Sequence, residues 1–121
     1  MIKVISDDTS NDIISFELSG VVTGDDYENI LIPAIKEKLK TNSKLKVLYH
    51  VTEDFDSYEM KAIFDDAIAG MEFFSNWEKI AVVSDVKWII DGVKIFSFMV
   101  PGMVRTYANA DIKNAKEWLR E

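Results

Sequence analysis

Ser57 is the residue whose type and position come closest to regulatory chemistry. It lies between a predicted strand and a predicted helix, in the acidic segment 54–59. A phosphate group there would meet the unpaired amides and the positive end of the helix dipole. However, Asp54, Asp56 and Glu59 would repel the added negative charge. We therefore favour helix capping, with Asp56 as the N-cap and Glu59 three residues later, and keep phosphorylation of Ser57 as the alternative.

His50 is the single histidine and, with acidic residues nearby, suggests acid–base or metal chemistry. It lies on a strand that we predict to be buried, and carboxylates adjacent in sequence need not converge on an ion. The chain has no cysteine, no Ser/His/Asp arrangement, no phosphate-binding glycine loop and no zinc-ligand spacing. The sequence therefore predicts no enzyme activity, no metal site and no cofactor.

A predicted helix from Asp85 to Val100 has apolar residues on two opposite faces. The first face consists of Val86, Ile89, Ile90, Val93, Phe96 and Val100. The opposite face consists of Trp88, Gly92, Ile95 and Met99, with Phe98 at its edge. Such a helix has a second packing partner or an exposed apolar patch, and glycine would let a partner approach closely. We predict that the second face binds a hydrophobic ligand, a membrane surface or another subunit, unless another part of the chain covers it.

Composition limits the remaining partners. The chain has 121 residues, 48% of them hydrophobic, which is enough for one core, and we predict a single domain over residues 1–121. Twenty-one acidic and 14 basic residues give a formal net charge of −7. This charge argues against nucleic acid as a partner and makes peripheral contact with anionic lipid weak. A homo-oligomer that contacts through the second apolar face is the expectation.

The longest apolar stretch, residues 88–100, is interrupted by Asp91, Lys94 and Ser97. It falls short of the roughly 20 apolar residues that a membrane-spanning helix needs. The N-terminal residues are typical of a strand rather than of a signal peptide. We therefore expect a cytoplasmic protein.

The elements that position these residues follow the order β-β-α-β-α-β-α-β-α. Alternating or dense apolar patterns predict five strands, at Ile2–Ile5, Ile13–Leu18, Leu45–Val51, Lys79–Ser84 and Met103–Tyr107. A polar turn at residues 7–12 joins the first two strands into a hairpin. After the hairpin, strands and helices alternate, so the order predicts an α/β fold with a mostly parallel sheet.

The helices are predicted from their caps and apolar spacing. The first opens with Thr23 as N-cap and contains Pro33, where we expect a kink. The third is the two-faced helix, with Asp85 as its cap and Pro101-Gly102 as its stop, and the last begins at Asn109 or Asp111. The second, from about Ser57 to Phe74, has a predicted core stripe of Met60, Ile63, Phe64, Ala67 and Met71. Its water-facing residues are predicted to be Glu59, Lys61, Asp65, Asp66 and Glu72.

Four segments resemble one family of proteins. They are I-A-V-V-S-D-V-K-W at 80–88, V-R-T-Y at 104–107, A-K-E-W-L at 115–119, and Tyr27 followed by I-L-I-P-A at 30–34. Together these segments resemble the SpoIIAA-like proteins over essentially the full length. The resemblance implies a STAS-like fold, in which helices flank a central mixed sheet, and the roles suggested for the family are ligand binding and membrane association.

The same resemblance bears on Ser57. Anti-sigma-factor antagonists, which are distant relatives of this family, have a phosphorylatable serine at a similar place in a D-x-S-G/A motif. This chain departs from that motif, because Tyr58 replaces the small residue. A phospho-regulated interaction domain is therefore the second hypothesis, after an apolar binding module.

Overall fold

The strands form one five-stranded mixed sheet in the computed structural model, which describes residues 1–5, 11–98, 100 and 103–121. The strands are β1 (Ile2–Ile5), β2 (Ile13–Val22), β3 (Leu45–Tyr58), β4 (Trp77–Val83) and β5 (Val104–Tyr107). They lie in the order β1-β2-β3-β4-β5. β1 is antiparallel to β2, and every other neighbouring pair is parallel. The predicted hairpin and parallel sheet are confirmed, although residues 7–10 of the predicted turn lie outside the described residues.

Four helices complete the described part of the fold in the predicted order. α1 is continuous from Gly24–Asp26 through Tyr27–Leu31 to Ile32–Leu39, and α2 is Met60–Glu72. α3 is Lys87–Ser97 and α4 is Ile112–Arg120. Short 3₁₀ turns occupy Phe74–Asn76 before β4 and Asn109–Asp111 before α4.

The sheet has apolar side chains on both of its faces. Val47 and Val51 of β3 belong to the core that includes buried residues of α1, α2 and α3. Leu48, which points to the opposite face, belongs to a smaller core with Ala115 and Trp118 of α4. Because strand residues alternate between faces, the dense apolar content of β3 and β4 requires helices on both sides.

α1 begins with a complete capping box. Thr23 Oγ1 accepts a hydrogen bond from the Asp26 amide at 3.1 Å, and the Asp26 carboxylate accepts one from the Thr23 amide at 2.9 Å. Two amide groups at the helix start are thereby satisfied. The prediction that Thr23 is the N-cap is confirmed.

The sequence predicts a kink of α1 at Pro33. The structure has a π-helical turn at Tyr27–Leu31, just before this residue. The Ile32 amide donates to the Tyr27 carbonyl, five residues back, and Pro33 then lies in the first turn of the following α-helical segment. Inside a helix a proline removes one backbone hydrogen bond, and a π-helical turn is one of the irregularities that bend helices. Tyr27, Leu31 and Ile35 are all fully buried on the inner face of α1.

The predicted capping role of Asp56 is wrong. β3 continues to Tyr58, so Asp56 and Ser57 lie in a strand, where Ser57 pairs with Val21. α2 begins only at Met60. The sequence analysis ended both strands early because β2 and β3 pair irregularly beyond Leu18, with register shifts on either side of Gly20. Gly20 has φ +56°, a left-handed conformation that glycine adopts without a steric penalty.

The predicted capping role of Asp85 is also wrong. α3 starts two residues later, and its N-cap is Val86, which makes no side-chain cap hydrogen bond. Ser84 Oγ accepts a hydrogen bond from the Val86 amide at 3.0 Å instead. The Asp85 carboxylate accepts hydrogen bonds from the amide and side chain of Asn109, at 3.0 and 3.1 Å. Asp85 therefore joins the start of α3 to the turn before α4, while the predicted stop at residues 101–102 lies outside the described residues.

The core stripe predicted for α2 is largely wrong. Met60 is 83% exposed, Phe64 is 64% exposed and Ile63 is also exposed, whereas Ala62 and Ala69 are buried. α2 packs mainly against α1 and does not lie flat on the sheet, so most of its large side chains are not in the core. The side chain of Met71 lies outside the described part of the structure.

The capping box gives the first testable prediction. Thr23→Ala should lower the free energy of unfolding by about 1 kcal/mol, because an amide of the first turn loses its acceptor. Asp56→Ala is the matched control, since this exposed strand residue caps no helix, and it should change stability by less than about 0.5 kcal/mol. Urea denaturation followed by circular dichroism measures both. Equal losses in the two variants would contradict the cap assignment.

Candidate functional site

A cavity of about 840 Å³ lies between α2, α3 and the sheet. The sheet contributes mostly apolar residues to its floor, namely Tyr49, Val51, Ile80, Val82 and Val104. α2 contributes Ile63, Asp66, Ala67 and Gly70. α3 contributes Trp88, Ile89, Gly92, Val93 and Phe96. Tyr58, Phe74 and Trp77 complete the lining, so the site is an apolar, partly aromatic pocket.

Only part of the predicted binding face of α3 contributes to this cavity. Trp88 and Gly92 line it, whereas Ile95 is 69% exposed and Phe98 is 84% exposed outside it. Met99 lies outside the described residues. Ile89, Val93 and Phe96 also line the cavity, and these residues belong to the first apolar face of the predicted helix. The cavity therefore borders α3 between the two predicted apolar faces of this helix. Ile95 and Phe98 are exposed outside the cavity.

Two glycines enlarge the cavity from opposite sides. Gly70 lies on α2 and Gly92 on α3, and both line the space. A Cβ atom added at either position would meet no other atom within 4 Å. No neighbouring part of the described chain therefore fills the room that Gly92 leaves, and a side chain at that position would project into unoccupied space.

Asp66 is exposed, as the sequence analysis predicted, and it is also the one acidic side chain among the described residues that line this apolar cavity. The Tyr27 hydroxyl donates a hydrogen bond to Asp66 Oδ1 at 2.8 Å. The hydroxyl oxygens of Tyr27 and Tyr58 lie 3.4 Å apart. The three side chains come from α2, α1 and β3, and they form a connected polar cluster at one wall of the cavity.

The three side chains of the cluster differ in exposure: Tyr27 is fully buried, Tyr58 is half-buried and Asp66 is exposed. The Asp66 side chain is exposed where the cavity opens to solvent. Burial of the carboxyl by the neighbouring protein atoms raises its pKa, and the hydrogen bond from Tyr27 opposes this rise. Burial, followed by the charge of Asp66, also raises the pKa of Tyr27 and of Tyr58 above their ordinary values. Both phenols therefore stay protonated at neutral pH, and Tyr27 donates its hydroxyl hydrogen to Asp66.

Aromatic contacts hold the rim next to this cluster. Tyr58 meets Trp88 edge-to-face, with ring centroids 5.8 Å apart, and Phe55 lies 5.4 Å from Tyr58 on the other side. Such pairs orient the rings beyond what simple burial would do. Trp88, which is 54% exposed, therefore links α3 to the end of β3 and places an indole at the cavity edge.

The other residues that were singled out for chemistry lie elsewhere. Ser57 is exposed in β3 and does not line the cavity, and it is not at a helix N-terminus. His50 is half-buried and borders a smaller space of about 200 Å³ beneath α4, together with Ile112 and Lys116. Across the described residues, no three histidine or acidic side chains are grouped to hold a metal ion.

The sequence analysis missed Asp66 and its tyrosine partners. Asp66 sits beside Asp65 in a polar part of the α2 pattern, and the two look alike in sequence. Asp65 instead accepts a hydrogen bond from Lys61 Nζ at 3.1 Å and does not line the cavity. In the sequence, the two aspartates could be distinguished only by which side of α2 faces the sheet. That side was predicted wrongly, because the predicted core stripe of α2 is largely exposed.

The environment of Asp66 predicts a pH-dependent stability. Because its folded pKa lies above the unfolded value near 4, the folded state holds the proton longer, and stability falls as pH rises through this window. Asp66→Asn should therefore raise the melting temperature at pH 7.5, and the gain should shrink as the pH is lowered toward 4. Thermal unfolding across that range measures the difference.

Asp65→Asn is the control for this prediction. It removes the same formal charge from the adjacent residue but breaks the ion pair with Lys61, so it should give no stabilisation at pH 7.5. A similar gain in both variants would mean that net charge, rather than the cavity, destabilises the wild-type protein.

None of the described helices is long and apolar enough to span a membrane. No curated protein sequence matches the chain significantly. A solved structure that matches is that of an uncharacterized protein with a SpoIIAA-like fold from Shewanella loihica PV-4. It is 20% identical, with a TM-score of 0.78, and the alignment covers 98% of this chain and 93% of that chain.

The architecture of that structure agrees with the five-stranded mixed sheet and four helices described above. The model of the SpoIIAA-like family matches residues 13–120, a segment that includes all four motifs of the sequence analysis and every residue that lines the cavity. The chain belongs to the SpoIIAA-like family.

Proposed function

We propose that this protein is a non-enzymatic binding module that holds an apolar small molecule in the cavity between α2, α3 and the sheet. The observation that carries the proposal is the cavity itself, at about 840 Å³ with a lining that is almost entirely aliphatic and aromatic. Ligand sites are commonly 300–1,000 Å³ and combine apolar walls with a few polar groups. Asp66 and Tyr58 supply the polar groups here.

Energetics favour an occupant. Side chains around an empty space lack the dispersion contacts that a packed core provides. A ligand that covers them removes apolar surface from water at roughly 25 cal/mol per Å². Part of that gain is lost to the entropy of association, but the walls stand on strands and helices, so little ordering of the protein is needed.

The composition of the lining supports binding rather than catalysis. Among the described residues of the cavity wall, the ionisable side chains are one aspartate and two tyrosines. No histidine, serine, threonine or lysine lines it to act as a base or an activated nucleophile beside that carboxylate. This argument agrees with the regulatory or interaction role that the family membership supports at a coarser level.

The cavity proposal is tested by filling the space. Gly92→Leu should weaken binding of the neutral fluorescent probe N-phenyl-1-naphthylamine by about tenfold or more, because the new side chain occupies the cavity. The same change should stabilise the free protein by up to about 1 kcal/mol through helix propensity. Fluorescence titration measures the first effect and thermal unfolding the second, so a loss of binding through misfolding is recognisable.

Ile95→Leu is the matched control for Gly92→Leu, since it conserves an apolar side chain on the same helix outside the cavity. It should bind the probe as the wild-type protein does. If Gly92→Leu binds the probe with wild-type affinity, the cavity is not the binding site and the proposal fails.

A second candidate function is a contact between subunits through the outer side of α3. Ile95 and Phe98 are the strongly exposed apolar residues there. The formal net charge of −7 favours a protein contact over an anionic membrane surface. Homo-oligomer formation and weak peripheral membrane contact are both compatible with this surface.

Ile95→Glu separates the two candidates. A charge at a subunit contact is costly to bury, so the variant should shift the protein from oligomer to monomer in native mass spectrometry and leave probe binding unchanged. Vesicle flotation in parallel measures membrane contact. An unchanged subunit count together with unchanged flotation would leave this surface without a role.

Two further predictions from the sequence, phosphorylation of Ser57 and a cytoplasmic location, stay predictions. Phosphorylation of Ser57 stays a prediction, although the side chain lies in a strand and has lost the helix N-terminus that would have favoured a phosphate. A modification there would act on an exposed site away from the cavity. A cytoplasmic location likewise stays an expectation.

A further inference from the structure

Asp66 is the one residue with a formal charge at neutral pH among the described residues that line the cavity. Its Oδ1 atom accepts a hydrogen bond from Tyr27. Among the described residues, no donor forms a hydrogen bond with Oδ2. A carboxylate has about four acceptor positions, so the described part of the chain uses only a small part of the capacity of this group, which lines the cavity.

No lysine of the neighbouring helices neutralises this carboxylate. Lys61 of α2 contacts Glu28 and Asp65. Lys87 of α3 pairs with Asp91, four residues later on the same helix. A carboxylate in apolar surroundings is unfavourable unless a cation or hydrogen-bond donors compensate it. Among the described residues, the hydrogen bond from Tyr27 is the one polar contact of Asp66, and no cationic side chain pairs with this exposed carboxylate at the cavity.

The groups beside Asp66 are also suited to a cation. Tyr58 contributes a phenol oxygen to the lining, and Trp88 adds an indole that packs on Tyr58. Aromatic faces attract ammonium groups, tryptophan most strongly. A ligand carboxylate would meet the opposite situation, with repulsion from Asp66 and no cationic side chain in the described lining to bind it.

We propose that the ligands of this cavity are amphipathic amines, whose protonated nitrogen donates a hydrogen bond to Asp66 Oδ2 while the apolar body contacts the aliphatic walls. This inference rests on the proposed function and narrows it to one class of ligand. If Asp66 holds a proton in the empty protein, that proton passes to an unprotonated amine nitrogen on binding. The product is the same ion pair of ammonium and carboxylate.

The test compares three ligands of equal chain length: dodecylamine, 1-dodecanol and dodecanoate. For each ligand, displacement of N-phenyl-1-naphthylamine from the protein is measured at pH 7.5, below the micellar concentration of dodecylamine and dodecanoate and below the solubility limit of 1-dodecanol. Dodecylamine should bind at least about tenfold more tightly than 1-dodecanol, as expected for a hydrogen bond between charged groups. Dodecanoate should bind most weakly of the three.

Two variants assign the preference to one carboxyl group. Asp66→Asn keeps an acceptor for Tyr27 and the size of the side chain, so it should reduce dodecylamine affinity about tenfold while 1-dodecanol binding is retained. Asp65→Asn is the matched control, with the same change of net charge outside the cavity. It should keep the preference of the wild-type protein for the amine.

The outcomes separate this inference from the proposed function. If 1-dodecanol binds but dodecylamine binds no more tightly, the amine assignment is wrong and the apolar cavity still stands as the binding site. An amine preference that survives in Asp66→Asn, or that disappears equally in Asp65→Asn, also overturns the assignment. If neither the probe nor any of the three ligands binds, the proposed function fails and this inference fails with it.

Discussion

The structure depends on the need to cover β3 and β4 on both faces. These parallel strands carry apolar side chains in both directions, and exposure of either face would leave a large apolar surface in water. α4 covers one face closely, with Ala115, Trp118 and Leu119 buried against Leu48 and its neighbours. On the other face α1 packs closely, whereas α2 and α3 enclose a space with the sheet. The candidate site is the place where this cover is incomplete.

The order and direction of the elements could be predicted because they depend on strong local signals. Alternation in Ile13–Leu18, the apolar runs of β3 and β4 and the Thr23 cap all survive in the structure. The family motifs at 80–88 and 115–119 carry residues of β4 and α4, which pack against each other. In these two segments the local sequence pattern and the tertiary packing favour the same structure. A fold can be predicted from its sequence where the two agree.

The ends of elements and the cavity were harder to predict, for physical reasons that can be identified. The acidic end of β3 is held by pairing with β2 across an irregular register, which no local pattern encodes. α2 has apolar residues around much of its circumference, so its sequence does not determine which side faces inward. Asp66 is exposed, as predicted, but the sequence did not indicate that it also lines the cavity. Tyr27 and Tyr58, its neighbours in space, are 39 and 8 positions away in sequence.

A polar cluster assembled from α1, α2 and β3 has an effect on the fold as well as on any ligand. Tyr27 is fully buried, and its hydroxyl needs a partner in the protein. Asp66 provides that partner and thereby sets the rotation of α2 relative to α1. The same carboxyl group thus orients a helix and places a negative charge in an apolar space, two roles that a purely aliphatic residue could not combine.

The π-helical turn of α1 has a consequence for how chain length can vary in this family. A regular α-helix rotates about 100° per residue, so the eight steps from Tyr27 to Ile35 would overshoot two full turns by about 80°. The wider turn absorbs that excess, and both residues remain fully buried. A relative with one residue fewer would make seven steps, about 700° in an ordinary α-helix, which returns the same two side chains to the core. This segment can therefore lose one residue while Tyr27 and Ile35 keep facing the core.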